Sequence, residues 1–137
     1  MMRRSALDAV GPLDPSFYFF GEETDWCRRA QNAGYELHYA PVGEITHFGG
    51  GSSGPLSFRR DLMLTSATVR LHRKHESLFA AWLVYAHLLV FNLSRSVFWA
   101  CLNAFGPTPG RARRSDHFAK VVAHYREAWP VHQGAKS

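Results

Sequence analysis

Apolar and polar positions change period several times along the chain, and each change marks an element. Ser5–Val10 reads as a short helix that Gly11 and Pro12 stop. The aromatic run Phe17–Phe20 comes next and is expected to be buried. Gly21 then introduces a helical pattern over residues 22–34, with Glu22, Glu23 and Asp25 early and Arg28 and Arg29 later, the order that the helix dipole favours. Trp26, Ala30 and Ala33 recur at three- and four-residue spacing as one packing stripe, and Gly34 stands where a C-terminal cap belongs. Tyr35–Ala40 alternates like a strand up to Pro41, and Glu44–His47 reads as a second short strand before the loop Gly49–Gly54.

The back of the chain is helical in pattern. Residues from Leu56 to about His75 end in a basic stretch. Leu78–Leu93 is apolar apart from His87 and Asn92, Ser94-Arg95-Ser96 interrupts it, and Val97–Phe105 is apolar again. Residues 106–110, Gly-Pro-Thr-Pro-Gly, form a breaker, and Arg111, Arg113 and Arg114 make a basic knot. Phe118–Trp129 predicts a final amphipathic helix.

Composition narrows the class. A chain of 137 residues with 46% apolar and 14% aromatic side chains has material for a core, which argues against disorder. Cys27 and Cys101 are too few for a disulfide framework or a zinc knuckle and read as thiols in a reducing compartment. Arg3 and Arg4 are followed by no apolar stretch, so no signal peptide is expected and the start reads like the interior of a domain. The net charge of +5 is unevenly divided: residues 1–55 hold four basic and seven acidic side chains, residues 56–137 twelve and four. A basic half suits nucleic acid, an anionic membrane or phosphorylated ligands. Nucleic acid is disfavoured because the basic residues surround an apolar segment without a binding motif.

Two features could carry chemistry. Glu22, Glu23 and Asp25 at a helix start are explained either by capping and solvated charge or by a general base presented at a cleft edge. His47 ends a predicted strand beside a Gly-Ser loop whose N–H groups could line a phosphate site, although such a loop is also an ordinary flexible linker. His38 sits mid-strand and reads as structural, and the remaining histidines have no metal-ligand spacing.

The order of these motifs adds a further reading. Arg3-Arg4, Val10-Gly11-Pro12-Leu13-Asp14, the aromatic run, Gly21-Glu22-Glu23-Thr24-Asp25-Trp26, Gly34-Tyr35, Ala40-Pro41 and His47-Phe48-Gly49-Gly50-Gly51-Ser52-Ser53 resemble the C-terminal part of family 2 glycosyltransferases, the rhamnosyltransferase-like members above all. The resemblance covers about residues 2–75. It implies an α/β fold: the C-terminal half of a GT-A-like, Rossmann-like domain over residues 1–75, then a mostly helical apolar tail. It also implies inverting transfer from a nucleotide-sugar donor to a saccharide or lipid-linked saccharide acceptor, with a divalent metal, magnesium or manganese, on the diphosphate. By the same resemblance Glu23 is the catalytic base, His47 completes the metal site, and Glu22, Trp26, Gly49, Gly50 and Ser52 contact substrate.

Two departures from the family pattern matter. The base position holds Glu where Asp is commoner, which adds about 1.5 Å of reach and leaves Asp25 as the alternative base. No Asp-x-Asp occurs in the sequence, so the nucleotide-binding half and the main metal ligands are expected upstream of residue 1.

Residues 76–106 form an apolar segment and 107–137 a basic tail. The uninterrupted apolar run is shorter than the roughly 20 residues of a spanning helix, and Arg95 would lie deep in a longer one. An interfacial helix or re-entrant hairpin fits better, with Trp82, Tyr85, Phe91, Phe98 and Trp99 at headgroup depth, and the basic clusters at 70–74 and 111–114 suit an anionic cytoplasmic leaflet. The expected location is therefore peripheral, at the inner face of a bacterial plasma membrane. A helix buried against the rest of the protein is the alternative for this segment. For the whole chain the alternatives are a non-catalytic remnant acting as a membrane-binding module and, more weakly, a metal-dependent hydrolase.

Overall fold

The computed structural model describes residues 2–41, 43–44, 46 and 57–130, in two compact units, Met1–Gly49 and Gly50–Ser137. The first unit is built on two helices, α1 (Arg4–Val10) and α2 (Glu22–Asn32). Gly11 closes α1 at φ 82°, a left-handed conformation that side chains with a Cβ avoid. The α2 end is a Schellman motif: the Gly34 N–H donates to the Gln31 carbonyl, the Tyr35 N–H donates to the Ala30 carbonyl, and Gly34 has φ 86°. Ala6, Trp26 and Ala30 form the small core, with Val10, Cys27 and Tyr35 packed around it. Ala33, the third member of the predicted stripe, is exposed.

The expected α/β fold is not what forms. Among the described residues there is no strand, and the architecture is helical throughout. The correction falls on residues 35–40, whose alternation is that of a strand. A strand is stabilised by ladder hydrogen bonds and by burying one face, and among the described residues neither is present here. Leu37 and Tyr39, on the apolar side of the alternation, are 48% and 93% exposed. The second predicted strand includes Ile45 and His47, which lie outside the described residues, and Glu44 and Thr46 join no ladder. The aromatic run is likewise only partly interior: Phe17 is buried and Tyr18 is fully in solvent.

The second unit packs three helices, α3 (Phe58–His75), α4 (Leu78–Phe105) and α5 (Pro109–Ala123), followed by a 3-10 turn (Tyr125–Ala128). Each helix begins on a hydroxyl cap: Ser57, Ser77 and Thr108 accept from the backbone N–H of Arg60, Ala80 and Arg111. The breaker at 106–110 therefore also starts α5, with Pro109 in the first turn, where its missing N–H costs nothing. Leu62, Val121, Tyr125 and Ala128 make the core, against which Phe58, Tyr85, Leu88 and Leu89 pack. Tyr85 and Tyr125 exchange hydrogen bonds, each hydroxyl donating to the other's carbonyl, at 3.2 and 2.8 Å. The Trp82 ring stacks on that of Trp129 with centroids 4.1 Å apart.

The apolar segment is one continuous 28-residue helix, not two pieces. Ser94-Arg95-Ser96 does not interrupt it, which removes the re-entrant hairpin. Neither serine nor arginine breaks a helix, and the Ser94 hydroxyl donates to the Phe91 carbonyl. The Arg95 guanidinium is taken up by ring faces, 4.0 Å from the Phe118 centroid and 5.2 Å from that of Phe91. Tyr85, expected at headgroup depth, is instead part of the interior packing.

Candidate functional site

The acidic cluster occupies the first turn of α2, and the structure gives its three members different environments. Gly21 precedes the helix at φ 89°, and no side chain caps the helix start. Glu23 is exposed. Glu22 is half-buried, and its Oε2 is shielded from solvent without a hydrogen-bond partner. Asp25 has no exposed surface, and its Oδ2 accepts from Arg29 Nε at 2.9 Å.

Arg29 does more than neutralise Asp25. Its Nη1 and Nη2 donate to the carbonyls of Val10 and Pro12, both at 2.7 Å, so one guanidinium ties α2 to the turn that ends α1. Trp26 adds a second tie, its indole N–H donating to the Gly11 carbonyl at 2.9 Å. Asp25 and Trp26 are thus framework groups. Asp25 as an alternative base would have to leave a buried ion pair to reach a substrate, and Trp26, 4% exposed, offers little surface to one. The Arg29 clamp is absent from the sequence reading, although the i,i+4 spacing of Asp25 and Arg29 signals it.

A cavity of about 760 Å³ opens beside this framework, lined in part by Arg3, Trp26, Cys27, Ala30, Tyr35 and His38. Its volume is that of a small-molecule site. Glu23 is not among the lining residues, but it shares a helix face with Trp26, Cys27 and Ala30, at i, i+3, i+4 and i+7. Glu23 thus lies at the N-terminal end of this face, one turn before the residues that line the cavity.

The other expected site residues, His47, Gly49, Gly50 and Ser52, lie outside the described residues. Among the described residues no three His, Cys, Asp or Glu side chains come together as a cation site. The one fully buried carboxylate, that of Asp25, is already held by a guanidinium. The described residues by themselves thus do not fit a divalent ion.

In the helical unit a smaller cavity, about 160 Å³, is lined by Phe58, Arg113, Asp116, His117 and Lys120. His117 is 7% exposed, and its Nε2 lies 2.9 Å from Asp61 Oδ2, joining α5 to α3. Lys120 is paired with Asp116 at 2.7 Å. Burial makes weaker acids of two phenols in this unit: the pKa of Tyr85 is held above its ordinary value, and that of Tyr125 further above, with the neighbouring Tyr85 adding to the effect.

No protein-family model, curated protein or solved structure matches this chain.

Proposed function

We propose that the first turn of α2 provides the general base for an inverting sugar transfer, with Glu23 as the group that takes the proton. The observation that carries this reading is the division of labour within the acidic cluster. Asp25 is spent on holding α2 to the end of α1, whereas Glu23 is exposed on a helix that this clamp keeps in place. A base must be held in place and still reach its substrate, and the clamp on α2 together with the exposure of Glu23 supports that role.

The reaction is displacement at the anomeric carbon of a nucleotide-sugar. A hydroxyl of a saccharide or lipid-linked saccharide forms the new C–O bond, the bond to the nucleoside diphosphate breaks, and the hydroxyl proton passes to Glu23. The half-buried Glu22 and the cavity beside α2 are the acceptor-side surface in this reading. The reading rests on the ordered motifs and on this helix start, and it requires no sheet within the described residues. The metal and diphosphate contacts expected of His47 and Gly49–Ser53 belong to the same proposal.

The test is Glu23→Gln in the protein expressed from its natural reading frame, assayed for transfer from nucleotide-sugars to membrane-extracted acceptors. Loss of a general base lowers turnover by about 10²–10⁴ while donor binding persists. Turnover within about twofold of the unsubstituted protein would exclude Glu23 as the base, since a base contributes far more than that.

A further inference from the structure

We infer that the outward face of α4 lies flat on an anionic phospholipid bilayer, entering one leaflet without crossing it. Phe79, Leu83, Val90 and Val97 follow one another at intervals of four and seven, which keeps them on one side of the helix, and each is more than half exposed. Phe91, Phe98 and Phe105, seven apart, widen this side on one flank, at 49%, 56% and 93% exposure. Only 11% of the most apolar window of the helix is buried. A patch of this extent on a folded unit marks an interaction surface.

Its width and its charge select the partner. A second helix seated on the four-and-seven stripe would cover a narrow seam and leave the Phe91, Phe98 and Phe105 row in water, whereas a bilayer covers both. No Asp or Glu stands between Glu76 and Asp116, while Arg95, Arg111, Arg113 and Arg114 do, and Arg70, Arg73 and Lys74 precede the helix. Two copies of so basic a unit repel each other, whereas an anionic leaflet supplies the opposite sign.

The inner side of α4 fixes the orientation. Contacts with the last part of the chain run from Trp82 on Trp129, through Tyr85 on Tyr125, to Trp99 under Arg114. At 1.5 Å per residue they cover about 26 Å of the helix. A crossing α4 would carry α5, with Arg113, Asp116 and Lys120, into hydrocarbon at a cost that an in-plane helix avoids. Lying flat, the helix immerses its outward face and keeps those charges in water.

The experiment uses the whole chain and two vesicle types, phosphatidylcholine alone and phosphatidylcholine with phosphatidylglycerol. Flotation with the anionic vesicles is expected, weakening as salt rises, and the double substitution Val90→Glu with Val97→Glu lowers partitioning about tenfold or more. Both positions face solvent, so circular dichroism and the thermal midpoint should stay unchanged and separate loss of docking from loss of fold. For orientation, Phe79→Cys, Val90→Cys and Phe105→Cys are made singly in a chain carrying Cys27→Ser and Cys101→Ser, labelled, and quenched by nitroxides at two acyl depths. Equal, shallow quenching at all three sites is the expected result. Deep quenching at residue 90 alone would mean a crossing helix and overturn the inference. So would absence of flotation, flotation indifferent to the glutamates, or a lipid-free dimer that buries the labels and stays off vesicles. None of these readouts involves sugar transfer, so the inference stands or falls apart from the role of Glu23.

Discussion

Replacing Arg29 by methionine is the sharpest probe of how the acidic cluster is held. The substitution keeps the aliphatic stem and removes three charge-assisted hydrogen bonds, one to Asp25 and two to the carbonyls of Val10 and Pro12. Asp25, with no exposed surface, then loses the guanidinium from which its Oδ2 accepts. Stripping one partner from a buried pair costs about 3–5 kcal/mol. Protonation sets a ceiling: neutralising an aspartate at pH 7 costs about 4 kcal/mol, from a reference pKa of about 3.9 and 1.36 kcal/mol per unit. Arg29 is itself 23% exposed at its side chain, which trims the loss, so about 3 kcal/mol is expected. Against a core of Ala6, Trp26 and Ala30, that is enough to open α2.

The assay is amide hydrogen exchange of α2 in the whole chain, with the Trp26 indole N–H as a second probe. Arg29→Met should collapse protection across α2, while Glu23→Gln leaves it intact. Adding Asp25→Asn to Arg29→Met should recover part of the loss, giving a coupling of about 2 kcal/mol, because an amide is less costly to bury than a carboxylate that has lost its guanidinium. A loss below about 1 kcal/mol, or strictly additive effects, would refute the clamp, since contacting groups in one network do not add.

Other perturbations follow from the helical unit. Burial favours the neutral phenols of Tyr85 and Tyr125, so the stability they contribute is complete below the unfolded value of about 10 and declines as pH rises past it. Thermal midpoints should fall above that pH, and Tyr125→Phe should flatten the decline. Thr108→Ala removes the hydroxyl that accepts from the Arg111 N–H and should cost about 1 kcal/mol in urea unfolding. Asp61→Asn weakens the contact to the buried His117 between α3 and α5 and should cost about 1–2 kcal/mol by the same measurement, with unchanged helix content.

What the sequence reveals depends on how locally each feature is determined. The caps of α2 are readable because Gly21 and Gly34 act on their own neighbours, and α2 forms where its pattern predicts. The strand expected at 35–40 fails because alternation is local while pairing is not: Leu37 and Tyr39 find no ladder and no cover among the described residues. The break expected at Ser94-Arg95-Ser96 fails for the opposite reason, since the rings that accommodate Arg95 include Phe118 on another helix. In the site, the separation of Glu23 from Asp25 is half-readable through the Asp25–Arg29 spacing, but the carbonyls of Val10 and Pro12 that complete the clamp are not. The contact between His117 and Asp61 joins residues 56 apart, beyond the reach of any spacing rule.

The stacked pair Trp82 and Trp129 has an optical consequence. Two indoles with centroids 4.1 Å apart and planes at 25° couple their transitions, so the helical unit should carry an exciton band in circular dichroism. Trp26 sits in the other unit, with its ring in a different core. One spectrum therefore reports the two units separately, the exciton band following the closure of α4 against the 3-10 turn and Trp129.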